Sequence, residues 1–293
     1  MRYLLLATLL VDLVHLFIKF NSRYFNFLTI GIALAVSIYG TLHSNTIHVK
    51  TLDIPVKGLT KDMKAVHLTD IHIGHFRNNP EYLQEIIAKT NAQQPDVIFL
   101  TGDYIDAELA LDDKYFEPLK QFTAPVYFVE GNHDEYVVVN EIMEKMRKVG
   151  VRVLEDEMTT FGELQIIGLN FMPANRGKAD RNTLSATSTV QEMLIKLKPD
   201  ALRPTVVLHH GPNGIRYADE HGVDLYLAGH THGGQLFPMT WVAQMDFEYN
   251  KGLHRYGNTN VFVSQGIGTY GPPMRVGTKS EIVLLNLKPQ NRK

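Results

Sequence analysis

The chain contains no cysteine among its 293 residues. This absence excludes disulfide bonds, thiolate ligands to a metal ion and a cysteine nucleophile. A metal site in this protein must therefore be built from histidine, carboxylate and amide side chains. Histidine is available for that purpose, with 13 copies in the chain.

The chain also lacks a strong excess of charge of either sign. It carries 29 basic and 31 acidic residues, for a formal net charge of -2. Proteins that bind a long nucleic-acid backbone usually present an excess of Lys and Arg. We therefore expect no strong contact with nucleic acid, whereas a small phosphorylated substrate is compatible with this charge. The length suits one large domain or two small ones.

Two apolar runs stand at the start of the chain. The first, residues 3–18, is interrupted by Asp12 and His15, whereas the second, residues 25–42, carries no charged residue. A membrane-spanning helix needs about 20 mostly apolar residues, so the second run predicts a span. The first run could span, lie in the interface or pack against the second. We predict a membrane anchor of one or two helices over residues 1–44 and a catalytic domain over residues 45–293; the alternative is a buried core hairpin.

The link between the two runs carries Lys19 and Arg23. Positively charged links of this kind usually stay on the cytoplasmic side of a membrane. The domain that follows the second run would then face the outer side of a bacterial inner membrane. Lys50, Lys57 and Lys61 beyond that run weaken the argument.

Short apolar runs alternate with amphipathic stretches from about residue 46 onward, which predicts an α/β domain. The strand candidates are residues 63–70, 96–103, 125–134, 205–210, 223–230 and 261–266. The helix candidates are residues 81–92, 140–150, 188–198 and 213–222, and Asn79-Pro80 suits the cap and first turn of the first of them.

Side chains that can bind metal ions appear where the strand candidates end. Ligand sites in α/β folds lie at the carboxyl ends of strands, because the loops there converge on one crevice. A single Asp after a strand is usually a turn or a helix cap, but five strand ends of this kind predict one shared site. The five groups are Asp70-Ile71-His72, Gly102-Asp103, Gly131-Asn132-His133-Asp134, His209-His210 and Gly229-His230-Thr231-His232.

This ordered series resembles the calcineurin-like metallophosphoesterases, and the resemblance extends from Asp70 to His232, over half of the chain. The segment at residues 264–277 is similar to one bacterial subgroup in which the catalytic domain often follows membrane helices. That subgroup is similar to envelope phosphohydrolases and to UDP-2,3-diacylglucosamine pyrophosphatases. The resemblance implies a four-layer α/β/β/α sandwich after the membrane helices. It also implies hydrolysis of a phosphodiester, pyrophosphate or phosphomonoester, with a membrane lipid or nucleotide-sugar lipid among the candidate substrates.

The resemblance further implies two divalent metal ions as cofactors. Asp103 would bridge them; the other ligands would be Asp70, His72 and His232 for the first ion, and Asn132, His210 and His230 for the second. His210 is preferred to His209 because the family's ligand is followed by x-Pro, as in Gly211-Pro212. Ligation by nitrogen and oxygen without sulfur suits Mn²⁺, our first expectation, or Fe, Zn²⁺ or Co²⁺. Two such ions about 3.5–4 Å apart activate a water molecule and clamp the phosphoryl oxygens.

The remaining candidates are a general acid and residues that contact the substrate. His133 would protonate the leaving-group oxygen, and Asp134 is the candidate for orienting it. Candidates for contact with the phosphorylated substrate are His75, His209, His254 and Arg275. Residues 266–271 match G-x-G-x-x-G, but Pro272-Pro273 follow and no helix begins, so a dinucleotide site is excluded. These glycines instead predict a close passage of the backbone beside the metal site or substrate.

The alternatives to a hydrolase of small or lipid phosphates are a nuclease and a catalytically inactive metal-binding scaffold. Scaffold relatives usually lose a ligand or the acid histidine, whereas all seven implied ligand positions and His133 are filled here. We therefore favour the enzyme, with a phosphorylated small molecule or lipid and the membrane as its partners. The sequence leaves the oligomeric state open.

Overall fold

The computed structural model describes residues 2–15, 22–177 and 186–291. The helices are α1 (Arg2–His15), α2 (Ser22–Ser44), α3 (Pro80–Asn91), α4 (Asn132–Tyr136), α5 (Val139–Lys148), α6 (Val190–Leu197), α7 (Ile215–Glu220) and α8 (Met239–Asp246). The strands are β1 (Ile47–Lys57), β2 (Met63–Leu68), β3 (Val97–Thr101), β4 (Val126–Val129), β5 (Arg152–Val153), β6 (Glu157–Phe161), β7 (Leu164–Gly168), β8 (Thr205–Leu208), β9 (Leu225–Ala228), β10 (Gly252–Tyr256), β11 (Thr259–Val263) and β12 (Ser280–Gln290).

These strands form two six-stranded sheets, with the orders β1-β12-β2-β3-β4-β5 and β10-β11-β9-β8-β7-β6. The inner strands β2, β3 and β4 of the first sheet run parallel, as do β7, β8, β9 and β11 of the second. Parallel neighbours end at the same edge of a sheet. Their carboxyl ends therefore bring the predicted strand-end residues together at one crevice.

Buried apolar side chains separate the fold into four layers. One cluster fills the space between the two sheets and includes Val97, Phe99, Leu208, Leu227 and Phe262. A second cluster packs α3 and α5 on the first sheet, and a third packs α6 and α7 on the other sheet. The predicted four-layer α/β/β/α sandwich is confirmed. The predicted cap of α3 is also present, because the Asn79 side chain accepts hydrogen bonds from two backbone N–H groups of the first turn.

The two N-terminal helices pack against each other and direct much of their apolar surface outwards. Within the described residues, one helical stretch, Asn26–Ser44, is long and apolar enough to cross a membrane, whereas α1 has 14 residues. A core helix of a soluble protein buries its apolar side chains, but those of Leu5, Leu9, Leu34, Ile38 and Leu42 are exposed. The link that carries Lys19 lies outside the described residues, so the orientation inferred from it stays a prediction.

The last turns of α2 pack against residues 272–278 of the catalytic domain. The Arg275 backbone N–H donates to the Gly40 carbonyl at 2.9 Å, and the Ser44 hydroxyl donates to the Pro273 carbonyl at 2.7 Å. A side chain at Gly40 would begin 3.0 Å from the Val276 side chain. The predicted domain boundary between residues 44 and 45 therefore falls in a packed contact rather than in an extended linker, and it stays a prediction.

Candidate metal centre

The strand-end residues that face the crevice share an unusual backbone conformation. The φ angles are 53° at Asp70, His72 and Asp103, 70° at His230 and 50° at His232. Non-glycine residues adopt this left-handed region rarely, at a cost of roughly 1–3 kcal/mol each. Such strain persists where the surrounding structure holds the residue in place, and it concentrates at functional sites. Here the left-handed conformation occurs in the Asp70-Ile71-His72 and His230-Thr231-His232 segments, whose side chains face the crevice.

One group of ligand atoms is formed by Asp70, His72 and His232, all three of which are buried. The His72 Nε2 and His232 Nε2 atoms lie 2.9 Å apart, and the His232 Nε2 atom lies 3.2 Å from Asp70 Oδ1. His72 Nδ1 lies 2.5 Å from Asp106 Oδ1. A carboxylate oxygen only accepts hydrogen bonds, so Nδ1 carries a proton and Nε2 is the ring nitrogen that faces the other ligands. This geometry fits a bound cation.

A second group is formed by Asp103, His210 and His230, with Asn132 beside them. His210 Nδ1 donates to the Thr101 carbonyl at 2.7 Å, so Nε2 is the ring nitrogen that faces the site. That buried Nε2 atom has no hydrogen-bond partner and lies 3.1 Å from Asp103 Oδ2. A lone pair on Nε2 and the carboxylate oxygen repel each other at this distance unless a proton or a metal ion lies between them. The Asn132 Oδ1 atom, 2.8 Å from His230 Nδ1, adds a further donor.

The pKa shifts of the buried histidines and carboxylates also favour a cation at this site. Burial by itself lowers the pKa of His210, but Asp103 and Asp70 raise it to about 9. Burial by itself raises the pKa of Asp103, but the rings of His210, His72 and His133 hold it below its usual range. The buried carboxylates thus attract positive charge onto the imidazoles, and divalent metal ions would supply that charge directly.

Asp103 contacts both groups of ligand atoms. Its Oδ2 atom lies 3.1 Å from His210 Nε2 and 3.7 Å from His72 Nε2. The backbone of the Gly131 turn approaches so closely that a Cβ atom there would lie 2.2 Å from Asp103 Oδ1, which explains the glycine. The position of Asp103 fits the bridging ligand that the resemblance implies.

His133 lies at the edge of the centre, and Asp106 rather than Asp134 orients it. His133 Nδ1 is 2.9 Å from Asp106 Oδ1, the same oxygen that contacts His72. Burial by itself raises the pKa of Asp106, but His72 and His133 lower it to about 2, so this group is a carboxylate at neutral pH. His133 also falls in a group of potential ligands with His72 and Asp103. The role of His133 as a general acid that does not bind metal therefore stays a prediction.

The expectation that Asp134 orients His133 is wrong. The Asp134 carboxylate accepts hydrogen bonds from the backbone N–H groups of Tyr104, Ile105 and Gly131, at 2.9, 3.2 and 2.9 Å. These bonds tie the Gly131–Asn132 turn to the loop after Asp103. Asp134 therefore supports the ligand geometry from behind the site.

Two of the predicted substrate contacts are also wrong, because the side chains are buried in structural networks. The Arg275 guanidinium is fully buried and donates to the carbonyls of Gln265 and Gly268, both at 2.6 Å. His209 is fully buried as well: its Nε2 accepts from the Met172 N–H at 3.3 Å, and its Nδ1 donates to the Gly211 carbonyl at 2.8 Å. Burial lowers the pKa of His209 to about 3, so its ring is neutral.

The other two candidates for substrate contact lie away from the centre. His75 is exposed, and His254 Nε2 lies 2.9 Å from the Lys251 carbonyl. Neither residue lines the cleft that opens on the centre, so the structure gives no support for their contact with substrate. The predicted close passage of residues 266–268 does occur, because a Cβ atom at Gly268 would lie 2.1 Å from the Ile71 carbonyl oxygen.

A cleft of about 830 Å³ opens on the centre. Asp103, Asn132, His133, His230 and His232 form its floor. Its walls are mostly apolar and include Leu236, Met239, Val242, Phe247 and Met274, with Tyr3 of α1 and Ser37 of α2 at one side. Among the described residues that line it, none is Lys or Arg.

Asp106→Asn is expected to weaken metal binding and lower the rate together. The amide oxygen can still accept hydrogen bonds from both histidines, but the substitution removes the negative charge that faces their Nδ1 atoms. Partners that orient metal-ligating histidines typically contribute about 10–100-fold to metal affinity or activity. Metal titration and kcat in excess metal would measure the two effects. Unchanged metal affinity together with unchanged kcat would contradict the assignment.

Comparison with known proteins matches residues 63–234 to the family model described as calcineurin-like phosphoesterase. A metallophosphoesterase of Campylobacter jejuni is 34% identical over 257 residues, which cover 86% of this chain and 66% of that protein. A Helicobacter pylori metallophosphoesterase is 30% identical, with 91% and 72% covered. A Danio rerio protein named transmembrane protein with metallophosphoesterase domain is 29% identical, with 89% and 62% covered. The chain thus spans about two thirds of the length of these relatives.

Proposed function

The chain belongs to the calcineurin-like phosphoesterase family, and on that premise we propose that it hydrolyses a phosphoester or pyrophosphate bond of a lipid, using two divalent metal ions. Hydrolysis of phosphoric esters with divalent metal ions is the chemistry of the family. The number of ions and the lipid substrate are specific to the proposal. The observation that carries it is the pair of buried ligand groups joined at Asp103, in which the Nε2 atoms of His210 and His72 face a carboxylate oxygen at 3.1 and 3.7 Å.

Each of the two proposed ions would be held by one of the two groups of ligand atoms. One ion would be held by Asp70, His72 and His232, the other by Asn132, His210 and His230, and both by Asp103. Two such ions, when bound, lower the pKa of a water molecule and neutralise the phosphoryl oxygens. Mn²⁺ is the first choice, with Fe, Zn²⁺ or Co²⁺ as alternatives for the same mixture of nitrogen and oxygen ligands.

His133 would donate the proton that the leaving-group oxygen needs. Its Nδ1 atom is held by Asp106, which leaves Nε2 as the nitrogen available for proton transfer. The Asp106 carboxylate also fixes the orientation of the ring, because its Oδ1 atom lies 2.9 Å from His133 Nδ1. Tyr136 and Tyr270 pack edge-on against the His133 ring, with ring centroids 5.6 and 5.2 Å away, and limit its rotation.

The composition of the cleft supports a lipid rather than a nucleic acid as substrate. A polynucleotide brings several phosphates, and its binding sites normally provide Lys and Arg to neutralise them. The described lining of this cleft offers apolar walls and no basic side chain. A substrate with one reacting phosphate group and an apolar remainder fits this surface better.

The same proposal places the enzyme in the bacterial inner membrane, with α2 as a span and the catalytic domain on the outer side. The start of α1 and the end of α2 line one cleft, so both lie on the domain's side of the membrane. The basic link between the helices would then be cytoplasmic. Protease added to intact spheroplasts should cleave the domain, and a protected domain would reverse the orientation.

The test of the substrate class uses full-length protein purified in detergent with Mn²⁺. The substrates are a phosphatidic acid, UDP-2,3-diacylglucosamine, p-nitrophenyl phosphate, bis-p-nitrophenyl phosphate and a single-stranded oligonucleotide. We expect the highest kcat/KM for one of the two lipids, because only they fill the apolar cleft. Faster cleavage of the oligonucleotide would contradict the lipid assignment, and no hydrolysis of any substrate would favour the inactive scaffold.

A further inference from the structure

Helix α8, which follows His230 and His232 in the sequence, has apolar residues on two opposite faces. Met239, Val242 and Ala243 face the cleft. On the opposite side Trp241 and Met245, four residues apart, are 61% and 78% exposed. Phe237, one turn earlier, is 42% exposed, and its ring lies edge-on against Trp241 with centroids 4.8 Å apart. Phe237, Trp241 and Met245 thus form a continuous outer stripe, each residue of which is exposed in the described structure.

This outer stripe is joined to the membrane helix through one short segment. Gly40 of α2 packs on Val276, and the Val276 carbonyl accepts a hydrogen bond from the Phe237 N–H at 2.8 Å. Residues Leu236 and Val276 also pair as a β-bridge. Only Val276 therefore separates the backbone of α2 from the start of the outer stripe.

The level of this contact along α2 sets the depth at which the outer stripe begins, at Phe237. Gly40 lies four residues before Ser44, the last residue of the apolar stretch, or about 6 Å along the helix axis. When α2 spans the membrane, this level is the boundary between acyl chains and headgroups on the domain's side. Tryptophan and tyrosine concentrate at that boundary because their rings are apolar with one polar group.

We infer that the outer stripe of Phe237, Trp241 and Met245 inserts into the interface of the bilayer that α2 spans, as a second membrane contact of the catalytic domain. The occupant of the surface is therefore lipid. A short helix with an apolar outer face that lies in the interface plane is a known mode of membrane attachment. The inference rests on the proposed insertion of α2 but not on the hydrolytic activity.

This second contact has a consequence for the cleft. With α2 on one side and α8 on the other, the cleft mouth is bounded by two membrane-embedded elements, and Tyr3, Ser37 and Met239 line the space between them. A lipid could then present its phosphate to the metal centre while its acyl chains remain in the bilayer.

The test uses the intrinsic fluorescence of the full-length protein, because Trp241 is the only tryptophan of the chain. The protein is reconstituted in phosphatidylcholine vesicles whose acyl chains are brominated either near the glycerol or near the terminal methyl group. We expect blue-shifted emission that loses most of its intensity with the shallow bromine and less with the deep one. Phe237→Ser with Met245→Ser should reduce that quenching.

The matched control moves the tryptophan to a site far from the membrane. Leu202 is 79% exposed and lies just before β8, at the end of that strand opposite the metal centre. The variant Trp241→Phe with Leu202→Trp should show water-like emission, quenched by acrylamide and not by either brominated lipid. Similar lipid quenching at both positions would overturn the inference, because the signal would not be specific to α8.

Two other outcomes would also overturn it. Water-like emission of Trp241, quenched only by acrylamide, would show that the stripe stays in solvent. Blue-shifted emission insensitive to both quenchers would show that protein, such as a second copy of the chain, covers the stripe. Flotation of the vesicles distinguishes failure of the α2 anchor from failure of the α8 contact. Protein that does not float with the vesicles would disprove the anchoring by α2. Protein that floats but shows no quenching by brominated lipid would disprove only the contact by α8.

Discussion

Replacing His133 with alanine is expected to lower kcat for alkyl phosphate esters by about 10²–10⁴-fold, the usual contribution of general acid catalysis. The bound metal should remain, because the neighbouring Asn132 amide and not the His133 ring supplies the proposed ligand atom. The loss should be much smaller for bis-p-nitrophenyl phosphate, whose leaving group departs without a proton. The comparison requires kcat for both substrates and metal content by mass spectrometry.

Two results would contradict this role for His133. Full activity of His133→Ala on alkyl esters would show that no proton from this ring is needed. Loss of metal from His133→Ala would show that His133 is itself a ligand, together with His72 and Asp103. Tyr136→Phe is a suitable control, because it keeps the aromatic ring next to His133 and removes only the hydroxyl group of a residue that is 61% exposed.

Replacing Asp103 with alanine or asparagine is expected to remove both metal and activity. Asp103 Oδ2 lies 3.1 Å from His210 Nε2 and 3.7 Å from His72 Nε2, whereas Asp70 Oδ1 lies 4.0 Å from His210 Nε2. Without Asp103, Asp70 is the one proposed carboxylate ligand left to balance the charge of two divalent ions. The loss of metal affinity should be larger than the loss of about 10–100-fold that is typical when a residue that only orients a ligand is replaced. Metal content and kcat in excess Mn²⁺ would measure it, with circular dichroism as the check on folding.

Asp113→Ala is the matched control for Asp103→Ala. It removes the same charge from a carboxylate that is 75% exposed and paired with Lys145 on the surface. Metal content and kcat of this variant should equal those of the wild type. An Asp103→Asn protein that keeps both metals and full activity would exclude Asp103 as the shared ligand.

Much of the site could be predicted because its residues follow strands with a clear sequence signal. The strands β2, β3, β4, β8 and β9 are short, mostly apolar and mostly buried, and each is followed by polar residues. Strands β1, β5, β6, β7, β10 and β12 were not predicted. β5 has two residues, and β1, β6 and β10 consist largely of partly buried or exposed residues without a distinct end. Exposure does not explain β7 and β12, most of whose residues are buried. Helix α8 lacks a side-chain cap and is short, so it left no signal either.

The residues that support the proposed ligands were harder to predict than the ligands themselves. Asp106 follows Asp103 by three residues in the same loop, but only the folded chain shows that it contacts His72 and His133 at once. Arg275 resembled a solvent-exposed loop residue. Its burial depends on backbone carbonyls from Gln265 to Gly268, which no side-chain pattern encodes.

The most direct test of the proposed centre is the number of metal ions that the full-length protein needs. Protein stripped with chelator is titrated with Mn²⁺, while bound metal is measured by mass spectrometry and hydrolysis of bis-p-nitrophenyl phosphate is followed in parallel. Two ions per chain are predicted, with full activity reached only as the second binds. Full activity with one ion per chain, or activity unaffected by removal of all metal, would contradict the account.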